Sequence, residues 1–394
     1  MENKHFETLS IRTQAQASSH REHSVPLYLT SSFTFENAEH GSALFKGTQE
    51  GNLYSRFSNP NTDEFIKKLF ALENYEDGVA TASGMAAVYA SLVSFLEQGD
   101  HIIASKNSFG NTLYIIQKIL PKMGVSYTLV DLEDKEAWAQ SVRTNTKLLY
   151  LETPSNPTLK IADLSYISKL CKANGIISIV DNCFATPYLQ KPSDFGIDIS
   201  IHSATKYIDG QGRVLGGAIL GSSEHIHPCY EFLRRTGGCL SPFNAWILYK
   251  SLETLAIRMD RHCHNAMAIA TWLENNPVID KVYYPFLESM EDYDLARQQM
   301  KLGGGIVGFN FKGEASMAFR FLNNLKLHSL TANLGDSRSI ATHPASTTHS
   351  KLNAKQQKEA GINPNFIRLS VGLEHVDDLI ADIDQSLKKA NENI

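Results

Sequence analysis

The spacing of apolar and polar residues divides this chain into three stretches. Residues 1–60, including HREHSVPLYLTSSFTFENAEHGS, hold short apolar patches without a sustained period, the pattern of an arm or irregular lead-in. Over residues 61–250 the pattern alternates. NTDEFIKKLFALENY carries apolar side chains at helical spacing, with Thr62 or Asp63 as the expected N-cap. GMAAVYASLVSFL predicts a second helix. HIIAS, SYTLVD, KLLYLE, IISIVDN, DISIHSA and GGAILGS predict short strands, most of them separated by helical stretches such as LSYISKLCKANG. Strands that alternate with helices imply crossover connections, hence an α/β domain whose mostly parallel sheet has helices on both faces. Over residues 251–394 the texture shifts. NAWILYKSLETLAIRMDRHCHNAMAIATWLENN, which straddles that boundary, reads as one long helix bridging to a smaller α+β domain. That domain has GGIVGFNF, LHSLTANLG and NFIRLSVGLE as strands and AFRFLNNL and VDDLIADIDQSLKKA as helices.

Composition narrows the class. The 394 residues carry 37 basic and 42 acidic side chains, a balance without the basic footprint that nucleic acid demands. No apolar run reaches the roughly 20 residues of a membrane span. MENKHFETLS lacks an apolar signal core, so the expectation is a cytoplasmic chain. The five cysteines (171, 183, 229, 239 and 263) are odd in number and form no CxxC, which argues against a disulfide framework or a zinc site. No metal is expected.

In a mostly parallel sheet, ligands sit beyond the carboxyl ends of the strands. Four features fall at such ends or at helix starts. Ser83-Gly84-Met85 opens a helix whose first N–H groups suit a phosphate, although a plain turn glycine fits as well. Asp181 follows the apolar run ISIV; it either pairs with a protonated ring nitrogen or caps a turn. Ser203-Ala204-Thr205-Lys206 follows DISIH, so two hydroxyls flank a lysine at the sheet edge. A desolvated lysine there becomes a nucleophile, whereas a solvated one is an ordinary surface charge. Arg368 lies within the apolar run NFIRLSVG, and either a substrate carboxylate or an internal ion pair would offset its burial. Together these features supply a phosphate cradle, an anion for a ring nitrogen, a Schiff-base lysine and a carboxylate clamp. That is the set pyridoxal phosphate chemistry on an amino acid requires.

Seven segments in order carry a resemblance: YSRFSNPNT (54–62), ATASGMAA (80–87), ETPSNPTL (152–159), VDNCFATP (180–187), HSATKYIDG (202–210), NLGDSRSIATHPASTTH (333–349) and IRLSVGLE (367–374). Through them the chain resembles the Cys/Met-metabolism family of pyridoxal-phosphate enzymes over essentially its full length. The resemblance implies the aspartate-aminotransferase-like fold (fold type I), a seven-stranded type of sheet with a smaller α+β C-terminal domain, and pyridoxal 5'-phosphate as cofactor. It gives Lys206 the Schiff base and the proton shuttle, and Asp181 the pyridine nitrogen. Gly84, Met85, Ser203 and Thr205 take the phosphate, Asn156 lies near the phenolic oxygen, and Arg368 takes the substrate carboxylate. Tyr54 and Arg56 are similar to family residues that reach a neighbouring subunit's phosphate, which implies a homo-oligomer, at least a dimer and usually a tetramer.

Departures from the family pattern narrow the reaction. Where many members stack a tyrosine on the cofactor, KNSFGNT has Phe109, and where methionine γ-lyases carry Tyr-Gly-Cys this chain has Phe109, Gly110 and Asn111. Asn333 stands where many relatives have serine before LGD. DGQGRVLGG (209–217) and TGGCLSPFNAW (236–246) look most like the O-succinylhomoserine sulfhydrylase branch. The expected activity is therefore γ-replacement on O-succinylhomoserine, or the acetyl ester, with sulfide, giving homocysteine in methionine biosynthesis. The alternatives are cystathionine γ-synthase or a methionine or cystathionine γ-lyase, and, from another class, a non-catalytic cofactor-binding protein. A nicotinamide-dependent dehydrogenase is set aside because no GxGxxG follows an early strand. Arg213 is the candidate for a succinyl carboxylate, with an ion pair inside its loop as the other reading.

Overall fold

The computed structural model describes residues 4–313, 315–350, 357 and 361–392. Its larger sheet is built of β1 (Asp77–Thr81), β2 (His101–Ser105), β3 (Ser126–Val130), β4 (Thr146–Glu152), β5 (Ile177–Asp181), β6 (Ile199–His202) and β7 (Gly217–Gly221), in the order β1-β7-β6-β5-β4-β2-β3. The pairings β3-β2-β4-β5-β6 are all parallel, and β7 runs antiparallel to both β6 and β1. Runs such as Ile102–Ala104, Leu148–Leu151 and Ile179–Val180 are wholly buried, as a sheet covered on both faces requires. All six strands expected from apolar runs are present. β1 was not among them: its sequence DGVAT is short, begins with Asp-Gly and carries little apolar bulk.

Helix positions follow the sequence with two corrections. The first helix of the alternating stretch is Pro60–Leu72, capped by Asn59 rather than by Thr62 or Asp63. Pro60, whose fixed φ and missing N–H suit the first turn, sets the start earlier, and the Asn59 side chain accepts the Asn61 N–H. The long bridging helix is two, Pro242–Leu252 and Leu255–Glu274, broken at Glu253 and Thr254. The second has 20 residues, about 30 Å. It ties the two sheets together. Its Arg258 donates to the carbonyls of Tyr207 (2.6 Å) and Ile208 (3.1 Å), beside Lys206. Its His262 and Asn265 bond the carbonyls of Val371 (2.6 Å) and Gly372 (3.0 Å), just past the strand that bears Arg368.

The second sheet comprises β8 (Ile279–Tyr283), β9 (Ile306–Phe311), β10 (Ser329–Leu330), β11 (Ile340–Thr342) and β12 (Phe366–Ser370), in the order β10-β11-β12-β9-β8. Helices Ser316–Asn324 and Val376–Asn391 pack with it. The strand expected in LHSLTANLG is only two residues long. After Leu330 the chain leaves the sheet, and Ala332 and Leu334 line the cavity described below.

Among the described residues up to Asn59, regular structure is confined to helices Phe6–Arg12 and Ala38–Lys46, yet parts of this stretch are pinned to the large domain. Asn61 accepts the Tyr28 N–H and donates to the Pro26 carbonyl, and Trp246 Nε1 donates to the Val25 carbonyl at 2.8 Å. Leu27, Leu29, Phe35 and Phe45 are exposed.

Candidate active site

A cavity of about 370 Å³ opens at the carboxyl edge of the large sheet. It is lined by Gly84, Met85, Phe109, Asn156, Asp181, Ser203, Thr205, Lys206 and Arg368, residues from six separated segments of the sequence. Sheet topology brings them together, since every parallel strand delivers its C-terminal residue to the same edge.

Ser83 caps the helix Gly84–Val93, accepting the Ala86 N–H at 3.2 Å. The first backbone bond of that helix is Ala87 N–H to the Ser83 carbonyl, so the N–H groups of Gly84 and Met85 precede the ladder and face outward with the positive end of the dipole. A Cβ on Gly84 would lie 2.6 Å from the Ser203 Cβ, so only glycine lets this helix end close on the Ser203–Thr205 segment. The Thr205 hydroxyl is held by the Gly216 N–H (3.1 Å) and carbonyl (3.3 Å).

Asp181 ends β5. Its carboxylate accepts the Cys183 N–H at 3.0 Å and the Tyr150 hydroxyl at 3.4 Å. Burial raises its pKa above the usual carboxylate value, while those two donors and nearby His202 oppose the rise. Below it lies a buried network in which Glu73 accepts from Ser200 (2.5 Å) and Asn182 (3.2 Å) and hydrogen-bonds His202 Nε2 at 2.5 Å.

Lys206 Nζ donates to Asn333 Oδ1 at 2.6 Å. Burial lowers its pKa and the Arg368 guanidinium lowers it further, while Cys183 opposes them. Arg368 is 1% exposed and forms no ion pair among the described residues. It donates to Asn156 Oδ1 (3.0 Å) and to the Asn333 carbonyl (3.2 Å), and its buried Nε has no partner. Burial brings its pKa down to about 10. A buried guanidinium with an unused donor calls for an anion.

Three sequence candidates lie elsewhere. Arg213 does not line the cavity. Its backbone N–H and Nε both bond the buried Asp209 carboxylate, at 2.7 and 3.0 Å, so it fits the loop ion pair and not acyl recognition. Tyr54 is exposed, and Arg56 donates to the Arg234 carbonyl with its guanidinium 4.8 Å above the Phe57 ring. Both lie outside this chain's own cavity. Conversely, Glu152, Thr112, Cys183 and Phe184 line the cavity without having been singled out. Glu152 carried the same signal as Asp181, an acid closing an apolar strand.

The donor set fits a phosphorylated pyridine aldehyde: a helix end and two hydroxyls for the phosphate, an acid at one strand end, a lysine whose proton is loosened by burial, and an arginine without an internal acid. Known proteins agree. The chain is 42% identical over 387 residues to an O-succinylhomoserine sulfhydrylase of Pseudomonas aeruginosa, covering 98% of this chain and 96% of that protein. It is 42% identical over 369 residues to an L-methionine gamma-lyase of Fusobacterium nucleatum, covering 93% of each. A crystal structure from Campylobacter jejuni, of a protein provisionally described as an O-acetylhomoserine (thiol)-lyase and holding N'-pyridoxyl-lysine-5'-monophosphate, superposes with TM-score 0.95 at 35% identity. It covers 98% of this chain and 100% of that one. The architecture is therefore that of the fold type I enzymes. With residues 7–388 matching the family model as well, the chain belongs to the Cys/Met metabolism PLP-dependent enzymes.

Proposed function

We propose that the protein catalyses γ-replacement on an activated homoserine ester, O-succinylhomoserine or O-acetylhomoserine, with sulfide as acceptor. The products are homocysteine and the free acid. The observation that carries this reading is Phe109-Gly110-Asn111, with Phe109 and Asn111 in the cavity wall, where the family's methionine γ-lyases carry Tyr-Gly-Cys. The sulfhydrylase relative supports it.

When bound, pyridoxal 5'-phosphate supplies the electron sink that loosens the substrate's protons. The rest falls to the chain. The Gly84 and Met85 N–H groups with the Ser203 and Thr205 hydroxyls hold the phosphate. Asp181, a buried acid with two donors of its own, holds the proton at the ring nitrogen. Asn156, in the cavity wall, would hold the phenolic oxygen. Phe109 offers its face to the ring but no hydroxyl. Lys206 therefore carries the proton from the α carbon, its amine kept free of a proton by burial and aimed by Asn333 Oδ1. Arg368 takes the substrate carboxylate through its unused donor, steadied by Asn156 and the Asn333 carbonyl. A β proton is removed as well, the γ C–O bond breaks, the acyl group leaves as a carboxylate, sulfide adds at the γ carbon, and protons return to the β and α carbons. Tyr54 and Arg56 reach the phosphate of a second copy, so the active unit is at least a dimer, in a homotetramer.

The γ-lyase relative, as similar in identity, favours γ-elimination as the second reading. One assay separates them. O-Succinylhomoserine is given sulfide, cysteine or no acceptor. Homocysteine formed at least about tenfold faster than the 2-oxo acid of elimination supports the sulfhydrylase. Equal 2-oxo acid with and without sulfide makes it a lyase, and preferential cystathionine makes it a synthase.

A further inference from the structure

Glu152 closes β4 as Asp181 closes β5, and the two are register partners on adjacent parallel strands. Such strands lie about 4.8 Å apart, so both carboxyls start side by side at the sheet edge. Both face the cavity, and Glu152 is 4% exposed. Two ionised carboxylates so placed repel each other without water to solvate them, and the pair settles with one proton between them.

The surrounding groups decide where that proton sits. Asp181 has the Cys183 N–H, the Tyr150 hydroxyl and His202, which is itself paired with Glu73, to favour its charge. Glu152 accepts one N–H, that of Phe109, at 2.9 Å on Oε2, and Arg368, which makes no ion pair with it, is the least of the influences that favour its charge. Cys183, its thiol kept neutral by burial, faces both acids and gives neither a positive charge. Burial and the neighbouring Asp181 together hold the Glu152 carboxyl well above the ordinary carboxylate range. Phe109 is the N-cap of the helix Gly110–Tyr114, and its own side chain makes no capping bond, so the Glu152 contact fixes the chain there.

We propose that Glu152 is a positioning residue that works uncharged: one carboxyl oxygen anchors the Phe109 backbone at the cavity wall, and its neutrality leaves Asp181 as the anion of the pair. This holds whichever ester or acceptor is used. An uncharged Glu152 also explains why a second acid can border the cofactor site without a cation of its own.

Infrared difference spectra of the apoenzyme at neutral pH, wild type against Glu152→Gln, test the charge. The account expects loss of a protonated-carboxyl stretch; loss of an ionised-carboxylate band overturns it. Pyridoxal phosphate titration tests the anchor. Glu152→Leu should bind the cofactor at least about tenfold more weakly, its half-buried Phe109 N–H left without an acceptor. Glu152→Gln, whose amide oxygen can accept that N–H, should recover most of the loss. A Gln variant as weak as the Leu variant overturns the anchor. If Glu152→Leu does not fold, the infrared result alone decides.

Discussion

Arg368 and Arg213 both suit a carboxylate, and the fold treats them in opposite ways. Arg213 sits in a loop four residues after Asp209, whose buried carboxylate takes both its backbone N–H and its Nε. Arg368 sits mid-strand in β12, flanked by Ile367 and Leu369, with neutral oxygens on two donors and nothing on the third. The first arginine is already neutralised within its own loop. The second carries an unbalanced charge into a cavity, and a charge left unbalanced in a stable fold is one kept for a ligand.

Substitution sharpens the contrast. Arg368→Leu should show the larger effect: a fall in kcat/KM corresponding to about 2–5 kcal/mol, with the protein still folded because no internal acid loses its partner. A variant within a few-fold of wild type would place the substrate carboxylate elsewhere. Asp181→Asn comes next. Because burial raises the Asp181 pKa, the folded apoenzyme holds that proton at pH values where the unfolded chain has lost it. Its stability therefore declines as pH rises above the ordinary carboxylate range, near 4. Asparagine removes that decline, so the stability of the variant relative to wild type should grow from acid to neutral pH while its cofactor affinity drops. A pH-independent difference would mean that Asp181 titrates normally. Arg213→Ala should be smallest in catalysis. It should lower the melting temperature, since Asp209 keeps the backbone N–H but loses the guanidinium, and leave the succinyl-to-acetyl preference unchanged. A selective loss of the succinyl ester would return Arg213 to the site.

The same contrast marks what the sequence reveals and what it hides. Strand runs such as HIIAS and ISIV were legible because burial on both faces leaves continuous apolar residues. Lys206, Asp181 and the Gly84 helix start were legible because they end or begin such elements. β1 was not, its DGVAT carrying too little apolar signal. Nor was the break at Glu253–Thr254, where helical spacing continues although the chain turns. Whether an arginine is paired depends on where its loop folds back, so Arg213 and Arg368 look alike until Asp209 is placed. Glu152 was hidden differently: the terminal acid of KLLYLE was in plain view, but only the register of β4 against β5 sets it beside Asp181.

On the proposed mechanism Lys206, held by Asn333, moves the protons, because no aromatic hydroxyl among the described residues stands in the cavity wall to replace it. Steady-state turnover of Lys206→Ala on an O-acylhomoserine ester tests it most directly. The account predicts a loss of about 10²–10⁴-fold or more with cofactor still bound through the phosphate cradle, and turnover close to wild type would contradict it.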